Sequence, residues 1–180
     1  YKTYLCLANR LILSYNYYTY NGIRISNGDS EVFTMKKNVA IIGYGGQGGW
    51  HASHALKSDV ISLAGIFDIK ESRQEAARQA GIKAYDSFEA VLVDKNVDIV
   101  VCATPNNVHK EIVIKALEAG KNVVCEKPVA LSVSDFDDMC EAAKKAGSEW
   151  LVVEQDRTCL GWDSLDCIKK AVDYLKTINK

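Results

Sequence analysis

Proline is almost missing from this chain: Pro105 and Pro128 are the only two in 180 residues. A backbone so seldom locked in φ and so seldom robbed of a donor can give most of its length to helices and strands. An excess of charge of one sign is missing as well, because 22 Lys+Arg face 23 Asp+Glu for a net charge of -1. Without a basic excess or stripe, the phosphate backbone of a nucleic acid is not an expected partner. No run of roughly 18 apolar residues occurs, so no membrane-spanning helix is expected. The 6 cysteines (Cys6, Cys102, Cys125, Cys140, Cys159, Cys167) are scattered, and no pair has CxxC or CxxH spacing. Hence no metal site is expected. Cys102 and Cys125 sit inside apolar runs, where a thiol behaves as a small hydrophobe, and the cysteine usage reads as that of a reduced, cytoplasmic protein. Internal repeats and low-complexity segments are also lacking.

What is present is an ordinary globular composition, 48% hydrophobic and 25% charged. The length suits one full domain and a fragment of another. Residues 1–34 stand apart. They hold Tyr1, Tyr4, Tyr15, Tyr17, Tyr18 and Tyr20, and no acid precedes Asp29. We expect a poorly ordered N-terminal extension there, a targeting arm being the rival reading, and a natural start at Met35.

From Lys36 the pattern becomes regular. Apolar runs at Val39–Ile42, Val60–Phe67, Val97–Ala103, Asn122–Cys125 and Leu151–Val153 alternate with helix-like stretches. Those stretches are Gln47–Lys57, Glu71–Ala80, a short turn with Phe88, Val91 and Leu92, and two helices marked by Val108, Ile112, Ala116, Leu117 and by Phe136, Met139, Cys140, Ala143. Gly81, Gly120 and Gly147 close three of them, as glycine does at helix C-termini. Short, wholly apolar strands separated by helices indicate an α/β fold with a doubly wound parallel sheet, over residues 35–155.

The first strand runs into Gly43-Tyr44-Gly45-Gly46-Gln47-Gly48, a G-x-G-x-x-G turn with a strand before it and a helix after it. In this turn the first glycine permits the tight bend, the second lets a pyrophosphate approach the backbone, and the third lets helix and strand pack closely. First-turn N–H groups then face the diphosphate. Asp68 ends the second strand about 20 residues past Gly48, where an acid meets the adenosine ribose hydroxyls. Its charge repels a 2′-phosphate, so the expected cofactor is NAD rather than NADP; Arg73, close by in sequence, softens that preference. Gly43, Gly45, Gly46, Gln47, Gly48 and Asp68 are thus cofactor-binding candidates.

Ligands of open parallel sheets sit at the carboxyl ends of strands, and both prolines fall there. One lies in Ala103-Thr104-Pro105-Asn106-Asn107-Val108-His109, the other in Cys125-Glu126-Lys127-Pro128. A lysine at a partly apolar strand end can lose pKa through desolvation and serve as general base, an effect a neighbouring Glu126 carboxylate opposes. These segments, with the glycine turn and Ala119-Gly120-Lys121-Asn122-Val123-Val124-Cys125-Glu126-Lys127-Pro128, closely resemble the nucleotide-binding domain of the glucose–fructose oxidoreductase / inositol dehydrogenase / MocA oxidoreductases. The resemblance covers residues 36–155. It implies a Rossmann NAD(P)-binding fold and hydride transfer at a sugar, polyol or cyclitol hydroxyl. It also implies Lys127 as catalytic lysine, with Thr104, Pro105, Asn106, His109, Glu126 and Lys127 beside the cofactor. For His109 a capping role is the alternative; His51 and His54, on the first helix, read as structural.

The resemblance implies a second, sheet-rich substrate domain supplying an Asp and a His. No histidine follows His109, and residues 156–180 read as the truncated start of that domain, with an amphipathic helix over 164–177. Apolar surface left bare by a missing sheet predicts dimerisation, a homo-oligomer, or else aggregation. The leading expectation is an NAD-dependent oxidoreductase domain. The alternative is a non-catalytic NAD-binding module or vestigial fragment. A methyltransferase-like Rossmann domain accords less well with Glu126-Lys127-Pro128 and with the ribose acid.

Overall fold

The computed structural model describes residues 3–8, 36–148 and 150–155, together with Lys169 and Asp173, which are helical. Apart from these, the expected extension, the start at Met35 and the helix over 164–177 lie outside the described residues. In chain order the elements are β1 (Thr3–Ala8), β2 (Lys37–Ile42), α1 (Gly46–Ala55), β3 (Ile61–Phe67), α2 (Glu71–Gln79), α3 (Phe88–Val93) and β4 (Ile99–Cys102). A 3-10 turn (Asn106–Val108), α4 (His109–Glu118), β5 (Asn122–Cys125), α5 (Val133–Lys145) and β6 (Trp150–Gln155) follow. They fall into two compact units, Leu13–Thr104 and Tyr1–Ile12 with Pro105–Lys180.

In the unit Leu13–Thr104 the strand order is β3-β2-β4, all parallel. The expected α/β class with parallel strands joined through helices is what forms. The cause is visible in burial: Val39, Ala40, Ile41 and Ile42 of β2 and Ile99, Val100, Val101 and Cys102 of β4 are all buried. Strands apolar on both faces need cover on both faces. The β2–β3 register shifts between Val39, opposite Leu63, and Ala40, opposite Gly65. At Gly65 the Lys83–Tyr85 segment comes in, Lys83 C=O accepting from Ile66 N–H at 2.8 Å and Ile66 C=O from Tyr85 N–H at 2.8 Å.

That segment is held from its other side by Asp94, whose Oδ2 accepts from the Tyr85 hydroxyl at 2.8 Å and whose Oδ1 accepts from Asn96 N–H at 2.9 Å. Lys83 Nζ lies 3.2 Å from Asp94 Oδ2 and 4.0 Å above the Tyr85 ring. The Asn96 N–H first, then the Tyr85 hydroxyl and the Lys83 cation, pull the Asp94 carboxyl down to about 2. Helix α3 starts at Ser87, whose Oγ accepts from Ala90 N–H at 3.0 Å, an ordinary N-cap.

In the other unit β1 runs antiparallel to both β5 and β6, with Leu5 opposite Cys125 and Val153. This strand has no counterpart in the sequence expectations, which place a poorly ordered extension over 1–34. The run Thr3–Ala8 is short and mostly apolar, with Thr3 and Tyr4 its only strong strand formers, and only the pairing shows that two other strands leave a place for it. Helix α5 opens on a Ser132 cap, its Oγ accepting from Asp135 N–H at 3.1 Å and donating to the Asp135 carboxylate at 2.8 Å. Lys110 of α4 reaches Asp135 Oδ1 at 2.9 Å and also Asp138 Oδ2, tying α4 to α5.

Candidate functional site

The turn after β2 is shaped by what glycine lacks. Gly43 has φ 92°, the left-handed region that L side chains avoid. A Cβ there would stand 2.6 Å from Ala103 O and 3.0 Å from Thr104 Cγ2. Its N–H donates to Phe67 C=O at 2.7 Å. The turn is therefore bonded to the carboxyl end of β3 and packed against the residues just past β4. Gly48 faces the turn from α1, and a Cβ on it would meet the Gly43 carbonyl oxygen head-on. The glycine brings the start of α1 against the end of β2.

At Gly46, in contrast, a Cβ would meet nothing within 4 Å. Gly46 and Gln47 are exposed. The N-cap of α1 is Gly45, which offers no side-chain cap, and the first turn of α1 carries no acid. The first-turn N–H groups of a helix have no intrahelical partner, and an N-terminus bare of carboxylates suits an anion. The cradle fits the diphosphate of a dinucleotide on these grounds.

Asp68 closes the cradle from the side. It is 3% exposed. Its Oδ2 accepts from Tyr44 N–H at 2.8 Å and from Arg73 Nη1 at 3.0 Å, and its Oδ1 accepts from Lys70 N–H at 2.9 Å. Its carbonyl accepts from Gln74 Nε2 at 2.8 Å. The carboxylate thus joins the end of β3, the glycine turn and the start of α2. Ile69, the next residue, is 88% exposed; a strand-ending acid followed by an apolar side chain was the available signal for it. Tyr44, Lys70 and Gln74 act through backbone or amide groups for which the sequence has no signature.

Thr104 stands at the end of β4, its Oγ1 3.3 Å from Cys102 Sγ. Gly43, Gly45, Gly48, Asp68 and Thr104 are thereby gathered around one turn.

The remaining candidates lie in the second unit and form their own group. Pro105 is exposed and precedes the 3-10 turn. The carbonyl of Asn106 accepts from His109 N–H. His109 is 0% exposed, and its Nδ1 lies 3.2 Å from Val129 O. A carbonyl can only accept, so Nδ1 donates there. The imidazole therefore ties the start of α4 to the loop after β5. In that loop Glu126 is buried, its Oε2 accepting from Lys127 N–H at 3.2 Å. Lys127 is half-buried, and the Lys127-Pro128 bond is cis. His109, Glu126 and Lys127 are thus brought onto one loop and the helix that supports it. His51, on α1, is buried and meets Trp50 edge-on. No helix among the described residues is long and apolar enough to cross a membrane.

Known proteins resemble this chain in sequence and fold. The family profile GFO_IDH_MocA, described as "Oxidoreductase family, NAD-binding Rossmann fold", matches residues 37–154. Myo-inositol 2-dehydrogenase of Thermotoga maritima is 38% identical over 110 residues, 60% of this chain and 33% of that protein. Among solved structures, an NAD-binding protein from Listeria innocua matches at 47% identity with TM-score 0.61, over 63% of this chain and 34% of its own. The WlbA dehydrogenase of Bordetella pertussis, in complex with NADH and UDP-GlcNAcA, matches at 31% identity with TM-score 0.59, over 62% and 34%. The chain spans about a third of the length of these relatives.

Proposed function

The chain belongs to the GFO_IDH_MocA oxidoreductases, with their NAD-binding Rossmann fold, and from that premise we propose that it is the dinucleotide-binding part of a sugar or cyclitol dehydrogenase. The observation that carries this reading is the cradle itself: a glycine turn bonded to β3, an uncapped helix N-terminus open at Gly46, and Asp68 beside it. When bound, NAD supplies the hydride acceptor that removes hydrogen from the carbon of a substrate hydroxyl.

The chain's own residues are assigned as follows. Gly45, Gly46, Gln47 and Gly48 receive the diphosphate through backbone N–H groups. Asp68 holds the ribose side of the cradle in register, and Ile69 offers an apolar face next to it. Thr104, Pro105 and Asn106 line the cofactor's reactive half. Lys127 takes the hydroxyl proton as general base, and Glu126 positions it by accepting its N–H. His109 supports this pair through Val129. Substrates of the sugar and cyclitol class accord with the inositol dehydrogenase and the UDP-sugar complex among the relatives. A reducing, cytoplasmic setting accords with the buried thiols Cys102, Cys125 and Cys140.

The test has two stages. NADH is titrated by fluorescence, then NAD reduction is followed over a panel of polyols and sugars. Binding together with turnover that Lys127→Ala abolishes supports the dehydrogenase. Binding without turnover, unchanged in Lys127→Ala, replaces it with a non-catalytic NAD-binding module. Absence of NADH binding overturns both.

A further inference from the structure

Just ahead of Glu126 and Lys127 stands a buried thiol with an imidazole beside it. Cys125 ends β5 and His109 begins α4, and both are 0% exposed. Cys125 Sγ and a ring nitrogen of His109 lie within 4.8 Å of one another. Metal–sulfur and metal–nitrogen bonds run about 2.3 Å and about 2.0 Å, so one ion holds such donors no more than about 4.3 Å apart. The two side chains therefore come together in the fold at about the separation that a shared ion requires.

The imidazole is also oriented for it. Nδ1 donates to the Val129 carbonyl at 3.2 Å, so in the neutral ring the lone pair is on Nε2. A backbone carbonyl on the other ring N–H is the outer-shell arrangement that fixes the tautomer of metal-ligating histidines. The Cys125 thiol donates to the Glu126 carbonyl over 3.6 Å, and a thiol is a weak donor with little to lose. Charge selects the ion. Thiolate and imidazole together carry one negative charge, and the Glu126 carboxylate is turned to Lys127 N–H. A monovalent ion makes the pair a neutral unit, whereas a divalent ion leaves a net positive charge that burial penalises. Among soft metals, a thiolate selects Cu(I).

We propose that Cys125 and His109 form a Cu(I) site, and that the ion clamps the loop that carries Lys127. Binding forms one Cu–S and one Cu–Nε2 bond and releases the Cys125 thiol proton to water. The copper stays univalent, so no electron moves. The clamp follows from connectivity: the ion holds Cys125 directly and Val129 through the His109 ring. The proposal does not depend on the dinucleotide reading.

The experiment titrates Cu(I), buffered by the chromogenic chelator bicinchoninate, into the purified, reduced chain without oxygen, and records X-ray absorption at the copper edge. One tight equivalent is expected, with sulfur and imidazole both present in its fine structure. Cys125→Ala and His109→Asn, the latter keeping an N–H for Val129, each weaken that equivalent by more than about 100-fold, beyond the about 10- to 100-fold that loss of an outer-shell partner costs. Cys140→Ala leaves it unchanged. Hydrogen exchange at Glu126, Lys127 and Val129 slows when copper is bound. Wild type without a tight equivalent, fine structure with sulfur alone, or an equivalent that survives Cys125→Ala overturns the proposal. The absorption spectrum needs only wild type, so it decides even where a variant fails to fold.

Discussion

Asp68 has a structural duty before it meets any ligand. Its carboxylate accepts from the N–H groups of Tyr44 and Lys70, and both lose their partner in Asp68→Ala. Tyr44 is half-buried and Lys70 exposed, so water takes up part of the loss; a hydrogen bond to a charged group contributes about 1.5–3 kcal/mol net, and urea unfolding should show Asp68→Ala destabilised by at least about 1.5 kcal/mol. Weaker NADH binding in that variant therefore needs to be read on protein shown to be folded. Asp94 is a second single-residue test. Its carboxyl is held down to about 2 by Asn96 N–H, the Tyr85 hydroxyl and Lys83. A carboxyl with a depressed native pKa stabilises the fold above its unfolded value of about 4, and that stability is lost as pH falls toward the native value. Stability measured against pH should place Asp94→Asn below wild type near neutrality, with the gap closing between about pH 4 and about pH 2. A gap independent of pH would mean that the packing of Tyr85, not the charge of Asp94, matters here.

Among the elements, α1 is the one whose two glycine types can be separated. A Cβ on Gly48 drives into the Gly43 carbonyl, while one on Gly46 meets open space. Gly48→Ala should lose about 1–3 kcal/mol or more through overpacking. Gly46→Ala should keep or gain about 0.5–1 kcal/mol, since glycine is the poorer helix former. Thermal melts give the first comparison. NADH titration gives the second, with Gly46→Ala weakened although it is stable, because its methyl fills the cradle. Helix boundaries were largely legible in the sequence. The stops at Gly81, Gly120 and Gly147 all have positive φ, and the acid-free start of α1 is read straight from Gly46-Gln47-Gly48. The role of His109 was not legible. Its bond goes to Val129, 20 residues away, and no local pattern marks such a partner.

For the whole molecule, strand β1 is the testable feature. It lies between β5 and β6 and pairs with both. A chain shortened to begin at Met35 removes hydrogen-bond partners from Val123–Cys125. Hydrogen exchange should then quicken there by at least about tenfold, while the amides of β2 and β4 keep their protection. Unchanged exchange in β5 would mean that β1 adds nothing to the stability of that sheet.

The α/β class, the glycine turn, the strand-ending acid and the family are legible in the chain alone, because each is written in residues close together along it. Periodicity, a turn that only glycine fits and an acid at fixed spacing need no distant partner to be recognised. Tertiary structure alone decided that Asp68 is buried under Arg73, that Arg73 lies flat on Gly45, that His109 braces Val129 and that Thr3–Ala8 completes a sheet. Each of these joins groups from different elements. Such contacts exist only after the chain has folded, since hydrogen-bond geometry and burial depend on distance in space and not on separation in sequence.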